Sequence, residues 1–277
     1  MTKMNSTEEI ICSEKAFKSA SDLLELIANN ILNSPMFFYS GKNVWCDWAR
    51  NLSGTQRTIY TIDFAYSHNL ISDAAVLLRK LRDDLLQSLY LQLLIKKHSP
   101  LFDDNNSLSN DSSILLHWFQ SELTKSERDK EIKTSVYKTR LSENNSFVKA
   151  LFDSDDFLKS EWTEVDRVLN SYMHGNGIKY FIDNISPNRS KEYFVQLFND
   201  VMEIYLSILI LENPILLHSS DYGDYFELGM EPPFGSQYWV APIAVDYLDE
   251  YIRKHNEKLY DYLFENQPIA MEWKKNE

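Results

Sequence analysis

Residues 71–98 read ISDAAVLLRKLRDDLLQSLYLQLLIKKH, and their apolar positions recur with the period of an α-helix. One apolar stripe runs along this segment at spacings of three and four residues: Leu78, Leu81, Leu85 and Leu89. A helix with such a stripe is stable only when the stripe is buried against other helices. The segment therefore predicts an all-α fold with this helix in its core.

Three other segments share this period and complete the predicted core. We expect a four-helix bundle from residues 1–33, 72–98, 156–174 and 190–212. Shorter helices are expected as insertions, near residues 113–124, 127–142 and 145–152. The aromatic stretch at 34–54, which contains Pro and Gly, predicts an irregular packed connection, and the helical pattern resumes at Thr55.

Local signals predict where several helices begin and end. Ser6 and Glu9 have the spacing of a capping box. A break is expected near residues 69–72, where Ser72 caps the next helix. Gly175 is expected to stop the helix before it, because glycine adopts the left-handed conformation that closes a helix.

Pro214 divides the chain into two predicted regions, because proline cannot continue a helix. Residues 1–214 form the predicted helical bundle domain. Residues 215–277 form a loop and a helical arm packed on it, and Pro242 opens an amphipathic helix that runs to about Asn266.

The net charge of −13 opposes non-specific binding of a polyanion. The charge is uneven, since residues 125–140 contain six basic and three acidic side chains. An anionic ligand is therefore expected to meet the middle of the chain. The low counts of 7 Gly and 8 Pro argue against a turn-rich β-sandwich.

The sequence predicts neither a metal site nor a cofactor. Cys12 and Cys46 lie far apart and fit neither a disulfide framework nor a zinc motif. A calcium loop starting at Asp103 would need Gly at its sixth place and Glu at its twelfth, where Leu108 and Ile114 stand. Ligand-spaced neighbours are lacking around five histidines: His68, His98, His117, His218 and His255.

Location is predicted from the cysteines and from the apolar segments. Unpaired cysteines fit a reducing compartment. The N-terminal MTKMNSTEEII lacks the charged-then-apolar pattern of a signal peptide, and Ser207 interrupts the longest apolar run. We therefore expect a cytoplasmic protein without a membrane segment.

One helical face between residues 167 and 174 carries a constellation suited to chemistry. Arg167, Asn170, Ser171 and His174 project from this face across two turns. His174 falls in the last turn, where the negative end of the helix dipole attracts a protonated imidazole. A guanidinium and an imidazole converging on one phosphate suit metal-independent RNA cleavage, in which a general base activates the ribose 2′-hydroxyl.

This constellation resembles the motif of the HEPN superfamily, whose ribonuclease members carry Arg, four to six residues and His on a late helix of a bundle. Here six residues separate Arg167 from His174, and SYMHGNG at 171–177 adds to the likeness. The segment LLRKLRDDLL at 77–86 is similar to the Arg-plus-acid helix of larger bacterial HEPN-like families of unknown function. The resemblance covers residues 55–212.

The resemblance implies an endoribonuclease that acts as a homodimer in toxin-antitoxin or phage-defence systems, with an antitoxin or defence protein as partner. Arg167 would bind the scissile phosphate and His174 would act as acid and base. Three further residues are expected to position the substrate or the second subunit: Asn170, Ser171 and Arg79.

Two alternatives stay open. Active HEPN members commonly place a polar residue directly after the Arg, whereas this chain has Val168. That departure favours a catalytically inactive HEPN-like module that binds a protein or nucleotide. An unrelated helical scaffold without a small-molecule site is the third reading, in which Arg167 and His174 belong to an ordinary solvated face.

Overall fold

A computed structural model describes residues 6–30, 37–39, 44–46, 49–97, 110–186, 190–219, 228 and 240–268. The fold is all-α, as predicted, with one small antiparallel hairpin formed by β1 (Phe37–Tyr39) and β2 (Val44–Cys46). The longer helices are α1 (Ser6–Asn29), α2 (Ala49–Ser67), α3 (Ile71–Lys97), α8 (Lys159–His174) and α10 (Lys191–Glu212). Shorter helices are α4 (Asn110–Phe119), α5 (Lys125–Glu131), α6 (Thr134–Asn144), α7 (Ser146–Asp153), α9 (Lys179–Ile182), α11 (Pro242–Tyr247) and α12 (Glu257–Asn266).

Helix α3 is the centre of the fold and contacts α2, α6, α8 and α10. Its predicted apolar stripe is buried, with Leu78, Leu81 and Leu85 fully inaccessible and Leu89 only 2% exposed. Every residue from Ser88 to Ile95 is also buried, so the second half of α3 is covered on all sides. The stripe thus lies in one hydrophobic core shared with α1, α8 and α10.

Helix α2 is a full member of this core, which the predicted four-helix bundle omitted. It packs against both α1 and α3 and buries Leu52, Ile59 and Ile62. The helix begins at Ala49, so the prediction of an irregular connection through residue 54 was wrong at its end. Gly54 lies inside α2, where an added Cβ would meet no atom within 4 Å. A glycine inside a helix lowers helix propensity but does not end the helix.

The predicted break between α2 and α3 is confirmed, but the predicted cap is wrong. Asn69 has a positive φ of 63°, and α3 begins at Ile71. Ser72 therefore stands inside the helix and donates its hydroxyl hydrogen to the carbonyl oxygen of Tyr180. The backbone N–H of Ser72 donates to Oδ1 of Asn184 at 2.7 Å. Asn184 is 112 residues from Ser72 in the sequence, so the local pattern around Ser72 could not predict this cap.

The short helices differ from the prediction in their boundaries. The segment predicted as one helix over 127–142 is two helices, α5 and α6, separated at residues 132–133. Thr124 and Glu127 form a capping box that fixes the start of α5. Gly175 ends α8 in the left-handed conformation with φ 58°, as predicted. Helix α9 follows it and was not predicted.

The C-terminal helices pack on α1 and α10 and share their core, through Tyr247, Ile252 and Leu259 among others. The prediction of one continuous helix from Pro242 was wrong. A π-helical segment, Leu248–Arg253, follows α11, and Asn256 then caps α12 by accepting a hydrogen bond from the N–H of Leu259. Several predictions fall largely outside the described residues: the side chains of the Ser6 capping box, the polar loop at 99–113 and the loop at 215–241.

Within the described ranges, α10 is the one helix long and apolar enough to cross a membrane. Most of its apolar window, 83%, is buried inside the fold. The helix thus packs in the hydrophobic core, where it contacts α1, α3 and α8.

Candidate functional site

Helix α8 has one buried and one exposed face. Val165, Val168 and Leu169 are buried in the core, which is why the apolar residue after Arg167 cannot face a ligand. Arg167 and His174 are exposed on the opposite side. The sequence placed these residues correctly on the helix because the apolar positions fix its rotation.

Arg167 is held by an acidic neighbour on its own helix. Its Nε donates to Oε2 of Glu164 at 3.0 Å, and its Nη2 donates to Oε1 at 2.7 Å. The hydroxyl of Tyr193 on α10 donates to the same Oε1 at 2.5 Å. Glu164 raises the pKa of Arg167, which therefore stays a cation. Its side chain is 60% exposed, so a phosphate can reach the guanidinium by competing with this ion pair.

His174 is the last residue of α8 and is exposed. The ring of Phe181 lies over the adjacent Gly175, where an added Cβ would be 2.9 Å from Cζ of that ring. Large apolar side chains stand exposed beside it, and we call them the α9 surface: Met173, Ile178, Phe181, Ile182 and Ile185. The exposed imidazole thus borders an apolar surface.

Hydrogen bonds fix the α9 surface to the bundle. The buried carboxylate of Asp183 accepts from the Tyr172 hydroxyl at 2.5 Å and from the Ser190 hydroxyl at 2.6 Å. Asn184 donates from Nδ2 to Oδ2 of Asp73 on α3 at 2.9 Å. The exposed apolar side chains are therefore carried on an anchored segment.

Two of the predicted positioning residues meet in a cleft of about 610 Å³ between α3, α6 and α8. Arg79 lines it from α3 and Asn170 lines it from α8, together with Lys133 and Thr134 at the start of α6. Arg167 and His174 do not line this cleft. The five predicted site residues thus fall into an exposed group on α8 and a group around the cleft.

The polar side chains of α8 are engaged within the helix. Asn170 donates from Nδ2 to Oδ1 of Asp166 at 3.0 Å. Ser171 donates its hydroxyl hydrogen to the carbonyl oxygen of Arg167 at 2.8 Å. Arg79 pairs with Asp83 over 3.9 Å, the ion pair expected for residues four apart on a helix.

Arg82 lines the cleft from below, and its position in the site was not predicted from the sequence. Its side chain is 2% exposed, and its Nε and Nη2 donate to Oδ1 of Asp83 at 2.9 and 2.8 Å. Its Nη1 donates to Oδ1 of Asp166 at 3.0 Å. The available signal was spacing, because Arg82 stands four residues after Leu78 on the apolar stripe.

Other residues have the donor types that bind a divalent cation, namely Asp200, Glu203 and His255. His255 was not predicted as a ligand because it has no ligand-spaced neighbour in the sequence, and Glu203 is 52 residues away. A signal was present on α10, where Asp200 and Glu203 interrupt an otherwise apolar run one turn apart.

On α8, the Arg167 and His174 side chains are accessible, whereas Asn170 and Asp166 of the same helix line the polar cleft. The resemblance to HEPN proteins stays a prediction from the sequence. Comparison with protein-family models, with curated proteins and with solved structures gives no match to this chain.

Proposed function

We propose that this protein is a metal-independent endoribonuclease of the HEPN type, which acts as a homodimer. The observation that carries the proposal is the exposure of Arg167 and His174 on one face of α8, next to the exposed α9 surface. Exposed apolar surface of this kind, beside chemically capable side chains, is typical of an interaction site.

The chemistry needs only the side chains of the chain itself. Neutral His174 removes the proton from a ribose 2′-hydroxyl, and the resulting oxyanion attacks the adjacent phosphorus. The bond to the 5′-oxygen breaks, and an imidazolium protonates that leaving oxygen. Arg167 donates hydrogen bonds to the phosphoryl oxygens, on which charge accumulates. The products are a 2′,3′-cyclic phosphate and a 5′-hydroxyl.

A second copy supplies what one chain lacks. One imidazole cannot be base and acid in the same step, whereas a two-fold dimer brings two Arg167–His174 pairs to one interface. Burial of the α9 surface would drive the association. Asn170 lies on α8 about one helical turn from Arg167, and Arg79 lies across the cleft on α3. Both side chains would hold the flanking RNA.

The test is cleavage of single-stranded RNA in the presence of EDTA. We expect cleavage by the wild type, loss of at least about 100-fold with His174→Ala, as for a general acid-base residue, and a similar loss with Arg167→Ala. His68→Ala is the matched control, because His68 is an exposed histidine at the end of α2. Equal cleavage by wild type and His174→Ala would refute the proposal.

The second candidate is a catalytically inactive module that binds a protein or a nucleotide. The bidentate contact of Glu164 with Arg167 favours it, because it neutralises the cation that a nuclease needs. This candidate predicts a folded dimer without cleavage. It also predicts that a partner protein co-purifies with wild type and with His174→Ala alike.

The proposed activity also implies a cellular location and a partner that restrains the enzyme. An RNA-cleaving enzyme would work in the cytoplasm, where its substrate is. Its activity would need a restraint, such as an antitoxin or a phage-defence partner that covers the α9 surface or the exposed face of α8.

A further inference from the structure

A donor cluster joins α10 to the C-terminal helices. Asp200 and Glu203 lie one turn apart on α10 and are 5% and 3% exposed. His255 follows the π-helical segment Leu248–Arg253. Ligand atoms of these three residues all lie within 4.8 Å of one another. Nδ1 of His255 is 2.9 Å from Oε2 of Glu203.

The buried carboxylates of this cluster have unused oxygens. Oδ1 of Asp200 and Oε1 of Glu203 are buried and accept no hydrogen bond from any described residue. Oε2 of Glu161, on α8, is also buried and accepts no hydrogen bond from any described residue. Buried polar atoms are normally hydrogen-bonded, so the unsatisfied oxygens of Asp200 and Glu203 within one donor cluster indicate a missing positive partner.

The charge balance of the cluster also calls for a cation. In the described part of the chain, His255 is the one basic residue in an ion pair with these carboxylates. The negative charge of Glu161 also repels the carboxylates of Asp200 and Glu203. A single imidazolium therefore faces three carboxyl groups in a poorly solvated place.

We propose that Asp200, Glu203 and His255 bind a first-row divalent cation, Zn²⁺ or Mn²⁺. Two oxygens and one imidazole nitrogen are a donor set that these ions accept, whereas Mg²⁺ and Ca²⁺ prefer oxygen alone. The ion would take the place of the proton on the ring nitrogen of His255 that faces Glu203, and this proton would be released to solvent. Two ligands at about 2.1 Å from one ion are about 3.4 Å apart at the tetrahedral angle, so donors that lie up to 4.8 Å apart need to close by at most about 1.4 Å.

The surrounding structure favours this role. A π-helical turn places His255 beside α10, and such turns are frequent at functional sites. His255 is 45% exposed and Glu203 is 3% exposed, so a cation can enter from the histidine side and meet carboxylates fixed in the core. The bound ion would tie α10 to the C-terminal helices.

This site is independent of the proposed nuclease. The RNA chemistry uses Arg167 and His174 and requires no metal, so cation binding can fail while cleavage survives, and the reverse. Cation binding and the Tm of the protein can therefore be measured without RNA, so they test the cation site alone.

The test is calorimetric titration of the EDTA-treated and dialysed full-length protein with ZnCl2, and separately with MnCl2. We expect one equivalent of Zn²⁺ or Mn²⁺ to bind and the Tm to rise. Glu203→Gln and His255→Ala should weaken binding at least about 100-fold, since even residues behind the ligands affect affinity by about 10- to 100-fold. Asp200→Asn should raise the Tm of the metal-free protein, because it removes a buried carboxylate, and should abolish the further rise with metal.

A matched control is His117→Ala. His117 also pairs with a carboxylate, that of Glu127, at 2.7 Å, but it belongs to no donor cluster among the described residues. Unchanged binding in this variant supports the proposal. No uptake of either ion by the wild type, or equal uptake by wild type and Glu203→Gln, would overturn it.

Discussion

Arg82 on α3 donates a hydrogen bond from Nη1 to Oδ1 of Asp166 on α8, at 3.0 Å, from a side chain that is only 2% exposed. The same guanidinium binds Asp83, whose Oδ1 also accepts from the Thr134 hydroxyl on α6 at 2.7 Å. One buried cation thus connects three helices beneath the cleft, and the ring of Trp162 lies 5.9 Å from its Cζ.

Replacing Arg82 by Met is therefore expected to destabilise the fold. The change leaves Asp166 without its cation and Asp83 with Arg79 alone, but both carboxylates are partly exposed, so water offsets part of the loss. We expect the free energy of unfolding in urea to fall by about 2 to 4 kcal/mol. Arg79→Met is the control on the same helix, and its ion pair should contribute less than about 1 kcal/mol. Equal losses in the two variants would contradict a structural role for Arg82.

Glu164→Gln should increase RNA cleavage if Arg167 binds the phosphate. The change removes the charge that competes for the guanidinium, while the amide oxygen can still accept from the Tyr193 hydroxyl. An exposed ion pair contributes up to about 1 kcal/mol, so the gain in kcat/KM should be about two- to fivefold. Asp156→Asn, which breaks the exposed Asp156–Lys258 pair, is the control and should leave the rate unchanged. A lower rate in Glu164→Gln would show that Glu164 assists catalysis instead.

Periodicity in the sequence predicted the parts of the fold that depend on local pattern. The Leu78 to Leu89 stripe and the stop at Gly175 are confirmed, because burial and the left-handed backbone leave a direct trace in residue types. The cap that Asn184 provides to α3 left no such trace. Contacts between distant segments are decided by packing, which a local pattern does not encode.

The site was predictable to a similar extent. The face that Arg167 and His174 share follows from helical spacing, and it is observed. The pairing of Arg167 with Glu164 was also within reach, since they are three residues apart on one helix. The approach of His255 to Asp200 and Glu203 was not, because it depends on how the C-terminal helices fold back on α10.

The α9 surface should control dimer formation. Ile178 and Ile185 are 76% and 79% exposed in the single chain, and a charge on this surface would have to be buried in the dimer. We expect Ile185→Asp to weaken association at least about 30-fold, as for a central interface residue, measured by light scattering across a concentration series. It should also reduce RNA cleavage, although Arg167 and His174 are intact.

Phe147→Asp is the control for a charge introduced on an exposed apolar residue. Phe147 is 43% exposed on α7, outside the α9 surface. The Phe147→Asp variant should dimerise as strongly as the wild type. A wild type that stays monomeric at high concentration, or an Ile185→Asp variant that dimerises normally, would exclude this surface as the interface.

His218 is expected to make the fold sensitive to acid. The residue is 1% exposed and pairs in a β-bridge with Val240, and burial lowers its pKa to about 4 from the ordinary 6.5. The unfolded chain therefore binds a proton at a higher pH than the folded chain does. The stabilisation is complete above about pH 6.5 and is lost as the pH falls towards about 4. Between pH 7.5 and 4.5 the loss should be about 2 to 3 kcal/mol.

The measurement is the free energy of unfolding against pH for wild type and His218→Leu. Other groups, including Asp200, titrate in both chains, so the difference between the two curves isolates His218. Since leucine cannot bind a proton, the variant should lose less stability than the wild type over the same pH range. His68→Leu, at an exposed position, should follow the wild-type curve. Parallel curves for wild type and His218→Leu would mean that the buried imidazole is protonated in the folded chain as readily as in the unfolded one.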